Sequence, residues 1–381
     1  MTKESEIVHI VLLFTNFGPY HIARASKLSE HLALKEWKMT AIELARFEQE
    51  YKWETEVSAL NFDLVSLTKN KLENQAGHNL VWQLYQRLFE LKPDVLVIAG
   101  YSRPSMLAAL LWGLWHGKYL IIMSATTEGD APRIWWREMF KSWFLKKYDA
   151  ALVGGQPHKR YFMKLGMVPE SIFLGYNVVE NSVFNTQQIH LLPNPLIKPF
   201  FLTVNRFVPK KNLSRLISAY AAYRELAGSD AWDLVLAGDG ILLSSLKKQI
   251  NNLNLPTSVH LPGFLQQNQL LPYFAHAGCF IHASIQEQWG LVVNEAMAAG
   301  LPVLVSNRCG CYEDLIIEGV NGFGFDPEDS QQLTELMLKM SSGEIDLQSM
   351  GNAALEHIGK FSPDYFAQGL IQSISYALNK H

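Results

Sequence analysis

Short runs of branched and aromatic apolar residues recur along this chain, each followed by a longer segment with helical spacing, and this alternation decides the fold class. A run of about five apolar residues matches a strand covered on both faces. A helical segment between two such runs matches the crossover that parallel strands require. In the first half the expected strands are Ile7–Phe14, Met39–Leu44, Phe62–Leu67, Asp94–Ala99, Tyr119–Met123, Ala150–Val153 and Ile172–Leu174. His190–Pro199 then carries Pro193, Pro195 and Pro199, which fix their own φ and restrict the residue before them, so it reads as a stiff linker. The alternation restarts with Phe201–Val204, Leu234–Ala237, Val259–Leu261, Cys279–Ala283, Pro302–Ser306 and Gly322–Phe325. The expected fold is α/β, with two Rossmann-like doubly wound domains, 1–189 and 190–361, facing a central cleft. A length of 381 residues suits two such domains.

Composition removes several function classes. A net charge of -3 argues against a nucleic-acid partner held by overall positive charge. Three cysteines, Cys279, Cys309 and Cys311, build no disulfide framework and show no zinc spacing, which points to a reducing, cytoplasmic setting and no metal. The N-terminal apolar run follows acidic residues and is too short for a signal peptide. Met106–Met123 is interrupted by His116 and Lys118, so it reads as a buried helix and a buried strand, not a membrane span.

The residues that carry chemistry concentrate in the second half. In Cys279–Gly300 a strand gives way to a polar loop holding Glu287 and Trp289, and Gly290 then opens a helix. The first amides of a helix lack internal partners and carry partial positive charge, so Gly290, Leu291 and Val292 form a candidate phosphate site. Carboxylates repel phosphate, so Glu287 and Glu295 suit sugar and ribose hydroxyls instead. A solvated loop glutamate and a helix-surface glutamate are the bland alternative. Three further loops follow strands. Asn205 and Arg206 lead to Lys211, whose charges would neutralise a diphosphate. Gly238 lies in a second loop, where a tight turn explains it equally well. Phe264 follows a third, where a base would stack or the ring would join the core.

These segments, VNRFVPKKN, LAGDG, LPGF, EQWGLVVNEAMAAGLPVLVS and EGVNGFGFDPED, closely resemble the C-terminal domain of the retaining family 4 glycosyltransferases of GT-B architecture. Glu287 and Glu295 match that family's E-x7-E pair, and Trp289 stands where phenylalanine is usual. The resemblance implies that Glu287 sits by the transferred sugar and Glu295 holds the ribose. It implies that Arg206 and Lys211 hold the diphosphate, helped by the amides of Gly290, Leu291 and Val292. No DxD-type carboxylate pair sits at a convincing site, so these cations and amides would replace a metal, and no cofactor is expected. The resemblance further implies a UDP-hexose donor, UDP-glucose first, and a saccharide or lipid-linked saccharide acceptor. A final segment near 362–381 is expected to return to the first domain. A sugar-nucleotide epimerase and a non-catalytic nucleotide-sugar module are the alternatives.

The first half resembles the family loosely. Gly18, alone where the family has a glycine-rich turn, would lie near the donor phosphate, and His21 near the acceptor, with a helix-start or core role for His21 as the alternative. Ser124–Arg133 offers Thr127, Asp130 and Arg133 as polar acceptor-side groups, with an ordinary polar loop as the alternative. In Ile134–Tyr148, Trp136, Met139, Phe140 and Trp143 share one face amid Arg137, Lys141, Lys146 and Lys147. That stripe is expected to pack on its own sheet, with contact to a membrane surface as the second reading.

Overall fold

The computed structural model describes residues 7–48, 57, 60–130 and 133–380. The chain divides into two compact units: one runs to Val179 and resumes at Pro363, and the other is Glu180–Ser362.

Among the described residues, the first unit holds strands β1 (His9–Phe14), β2 (Lys38–Glu43), β3 (Asp63–Ser66), β4 (Val95–Ala99), β5 (Tyr119–Ser124), β6 (Ala150–Val153) and β7 (Ile172–Leu174). Its helices are α1 (Pro19–Ala33), α2 (Gly77–Leu91), α3 (Pro104–Trp115), α4 (Trp135–Leu145) and α5 (Gln156–Lys164). The sheet is parallel, in the order β3-β2-β1-β4-β5-β6-β7. β1 is buried almost throughout because helices cover both sheet faces, which is why it reads as a continuous apolar run. α2 places Leu80, Leu84 and Leu88 four residues apart on its buried side, where they join Met106, Leu110, Leu145 and Phe162 in one core.

The second unit holds α6 (Thr186–Ile189), β8 (Phe200–Val204), α7 (Leu213–Ala227), β9 (Asp233–Ala237), α8 (Leu243–Asn252), β10 (Val259–Gly263), α9 (Gln267–His276) and β11 (Cys279–His282). It continues through α10 (Leu291–Ala298), β12 (Val303–Ser306), α11 (Tyr312–Leu315), β13 (Gly322–Phe325), α12 (Ser330–Ser341) and α13 (Leu347–Ile358). Its parallel sheet runs β10-β9-β8-β11-β12-β13. The order reverses between β8 and β11, and open α/β sheets bind ligands at the carboxyl ends of the strands at such a point. The last helix, α14 (Pro363–Asn379), packs on α1 and on β5–β7 of the first unit. Gly369 permits the approach, since a Cβ there would lie 2.1 Å from the Leu174 carbonyl oxygen.

Two expectations need correction. The change of unit falls at Val179, ten residues before the expected boundary at 189/190. Residues 180–189 are tied to the second unit: the Asn181 side-chain amide donates to the Ile358 carbonyl at 3.1 Å, and the Phe184 and Phe274 rings meet at 5.6 Å. Second, the aromatic stripe of α4 does not pack on its sheet. Leu145 is the buried residue of that helix, while Trp136, Met139, Phe140 and Trp143 are 44–61% exposed. The inward side is held by polar bonds instead, with Glu138 accepting from the Tyr161 hydroxyl at 2.6 Å and from Lys141 at 2.9 Å. No described helix is long and apolar enough to cross a membrane.

Candidate functional site

Five strand ends of the second unit are laced together by their backbones. Asn205 donates to Ala237 at 3.0 Å, Phe207 to Asp239 at 2.7 Å, Gly238 to Gly263 at 2.8 Å and Ile285 to Lys210 at 2.9 Å. Gly310, beyond β12, donates to the Glu287 carbonyl at 3.0 Å. The loops that hold Asn205, Arg206, Lys211, Gly238, Phe264 and Glu287 therefore share one end of the sheet. Arg206 is half-buried, and Phe264 is 40% exposed beside the turn at Gly263.

Lys211 and Glu287 form an ion pair, both mostly buried. Glu287 also faces His282 at 3.5 Å and accepts from the Ser284 hydroxyl at 3.4 Å, and Ser284 meets His282 at 3.2 Å. Burial opposes ionisation of Glu287, but the His282 hydrogen bond and the Lys211 charge prevail and hold its carboxyl well below the usual range. His282 is fully buried; desolvation lowers its pKa, so the imidazole is neutral at pH 7. The ion pair means that part of the Lys211 charge is already taken up by Glu287.

Gly290 caps α10 with φ 102° and ψ 61°, a left-handed conformation that glycine adopts without steric cost. A Cβ there would sit 3.3 Å from His282 Nε2. Leu291 and Val292 are half-buried in the first turn, and Glu295 is 5% exposed one turn further. The Trp289 side chain is 3% exposed, and its indole N–H donates to Asn294 at 2.8 Å, so the ring supports the loop from beneath.

Sequence reasoning missed His282, Ser284 and Asn294. Glu287 and Cys309 form an isolated parallel bridge, and Cys311 donates to Trp289 at 3.2 Å, so the CxC segment is a backbone brace. Burial pushes both thiols up, keeping them protonated. The available signal was His282 at a strand end, five residues before Glu287.

In the first unit Gly18 caps α1 with φ -77° and ψ 176°, extended backbone open to any residue. The loop before it is anchored by the buried Glu43, which accepts from the Phe17 amide at 2.9 Å. His21 packs against Phe14 with ring centroids 4.4 Å apart and planes inclined at 43°, and its Nδ1 is buried without a partner. The acceptor-side loop is largely self-satisfied. Asp130 accepts from the Thr127 amide at 2.8 Å and hydroxyl at 2.6 Å, while Arg133 donates to the Glu128 carbonyl at 2.6 Å and to Tyr161 at 2.9 Å. These groups shape the loop instead of projecting from it; Ala131 and Pro132 lie outside the described residues.

Burial above all, then the nearby Arg24 charge, lowers His21 to about 3. The unfolded chain therefore binds a proton near pH 6.5 that the folded chain excludes. The stability of the neutral form is complete above that pH and declines as pH falls through it, at up to about 1.4 kcal/mol per pH unit. His21→Phe keeps an aromatic ring against Phe14 and removes the titration. Urea unfolding at pH 7 and pH 5 should show the native chain losing about 1–2 kcal/mol more than this variant. Equal losses would remove His21 from the account.

The seven- and six-stranded doubly wound units define the class by fold: this is the GT-B architecture. Solved structures similar over nearly the whole chain are a glycosyltransferase from Rickettsia africae, at TM-score 0.76 and 15% identity over 99% of this chain and 100% of that one. Another is Anabaena Alr3699/HepE in complex with UDP-glucose, at TM-score 0.73 and 19% identity over 96% and 99%. Residues 187–357 match the family model described as Glycosyl transferases group 1. Among curated relatives, the amylovoran biosynthesis glycosyltransferase AmsK of Erwinia amylovora is 31% identical over 189 residues, 48% of this chain and 45% of that protein. Alpha-monoglucosyldiacylglycerol synthase of Streptococcus pneumoniae is 36% identical over 103 residues, 27% and 23% respectively. The matches thus span less than half the length of these curated relatives.

Proposed function

We propose that this protein is a cytoplasmic, retaining, metal-independent glycosyltransferase. It moves a hexose from a UDP-sugar, with UDP-glucose the first choice, to a saccharide or lipid-linked saccharide. One observation carries the reading: the Lys211–Glu287 pair joins the loops after β8 and β11 at the sheet's switch point, and the Glu287 loop leads through Gly290 into the amide-bearing end of α10. The UDP-glucose complex of the Anabaena neighbour and the glycosyltransferase relatives support it.

In the reaction the anomeric C–O bond to the diphosphate breaks, and the electron pair leaves with the diphosphate. The acceptor hydroxyl oxygen bonds to the anomeric carbon on the same face, and its proton passes to the departing phosphate oxygen. Arg206 and the first amides of α10 take up the growing negative charge, the work a metal would otherwise do. Glu287, ionised and fixed by Lys211 and His282, accepts from sugar hydroxyls and orients the reacting carbon.

The test is incubation of the purified protein with UDP-glucose and candidate acceptors, with and without a chelator, followed by NMR of the product. An α-linked product formed equally in the chelator is expected. Loss of turnover in the chelator, restored by magnesium or manganese, would remove the metal-free claim. An altered sugar formed without acceptor would identify an epimerase.

A further inference from the structure

α4 shows solvent an unusual face. Trp135, Trp136, Met139, Phe140 and Trp143 are 76%, 44%, 55%, 61% and 60% exposed. They fall at i, i+1, i+4, i+5 and i+8, so they form one continuous side of the helix. The opposite side, Glu138, Lys141 and Leu145, faces Tyr161 and the core. The outward side is therefore not a misplaced core stripe; the helix already has another inner face.

Helices on the same side of the sheet also expose large apolar residues. The inner residues of α2, α3 and α4 enter one core cluster, so all three helices cover the same side of the sheet. On their outer sides α3 exposes Leu111 at 59% and Trp115 at 88%, and α2 exposes Trp82 at 65%. Isolated exposed apolar residues are normal; a run of large aromatics on one helix marks an interaction surface.

Charge selects the occupant. Arg137, Lys146 and Lys147 are exposed beside the aromatic face and make no ion pair with any described residue. Arg137 lies 5.2 Å from the Trp136 ring and Lys147 5.4 Å from the Trp143 ring. The one acid of α4, Glu138, is turned inward and neutralised by Lys141. A second copy of the chain, meeting this face about a twofold axis, would set these cations against their own images. An anionic lipid surface meets both demands, since tryptophan and phenylalanine settle at the headgroup level while lysine and arginine reach the lipid charge.

We propose that the outward face of α4 is a docking surface for an anionic bilayer, on which the helix lies flat. This stands on the first unit alone and holds whatever donor the second unit takes.

The test is sedimentation of the full-length protein with phosphatidylcholine vesicles, with and without phosphatidylglycerol. The native chain should bind the anionic vesicles about tenfold more strongly than the zwitterionic ones, and salt should weaken the binding. Trp136→Ser/Phe140→Ser/Trp143→Ser, made at exposed positions, should unfold at the native temperature yet bind about tenfold more weakly. Arg137→Gln/Lys146→Gln/Lys147→Gln should lose the preference for anionic lipid. Absence of vesicle binding, or binding by both variants equal to the native chain's, would overturn the proposal. So would a native dimer, seen by light scattering, that the aromatic variant converts to a monomer.

Discussion

Glu287→Gln should lower kcat by at least about 100-fold while leaving UDP affinity equal or tighter. The two outcomes share one cause. Glu287 is an ionised carboxylate paired with Lys211 and bonded by Ser284. Glutamine keeps the shape but loses the charge, so the sugar loses its strongest hydroxyl acceptor and the reacting carbon its orientation. Lys211, 9% exposed, then lacks a counter-charge and has a stronger claim on the anionic diphosphate. Removing one member of a buried pair also costs stability, about 3–5 kcal/mol for full burial and less at the partial exposure of this pair. Assays therefore belong below the variant's unfolding temperature. Glu295→Gln provides the contrast. It alters a group one turn into α10, remote from the reacting carbon, so it should raise the donor KM about tenfold with kcat nearly unchanged. Steady-state kinetics against donor concentration, with calorimetry of UDP, decides the matter. A Glu287 variant with native kcat and a raised KM alone would overturn the orienting role of this carboxylate.

Gly238→Ala should destabilise the chain by about 2–4 kcal/mol. Gly238 has φ 136°, and an added Cβ would lie 1.8 Å from the Asn205 carbonyl oxygen and 2.9 Å from its carbon. The obstacle is backbone, which cannot rotate away like the end of a side chain. Relief requires separating the β8 and β9 loops, and with them Asn205 and Arg206, so UDP affinity should fall with stability. Gly117 is the control. It has φ 61° but open space around an added Cβ, so Gly117→Ala should cost only about 1–2 kcal/mol for its backbone conformation. Urea unfolding of both variants measures the difference. A Gly238 variant no less stable than the Gly117 variant would show that the turn is not as tight as its geometry states.

The strands were legible in the sequence because burial on both faces imposes a local apolar run, and a run of a few residues needs no knowledge of its neighbours. Glu287, Arg206 and Gly238 were legible as candidates because each follows such a run, and strand ends are where parallel sheets place ligands. Their pairings were not legible. Lys211 meets Glu287 across 76 positions of sequence because β8 lies beside β11, and that adjacency belongs to the sheet order.

By itself, then, the sequence determined the two rounds of strand and helix, the glycine at the head of α10 and the polar groups at the strand ends. Tertiary structure decided which charges are already neutralised, that Trp289 lies beneath its loop, that residues 180–189 join the second unit, and that the aromatic side of α4 faces outward. The physical reason is the range of the forces involved. Backbone conformation and burial periodicity are set within about ten residues, whereas an ion pair or the direction of an amphipathic face depends on which distant surface arrives there first. For α4 that surface was Tyr161, whose hydroxyl and ring took Glu138 and Lys141 and turned the tryptophans out.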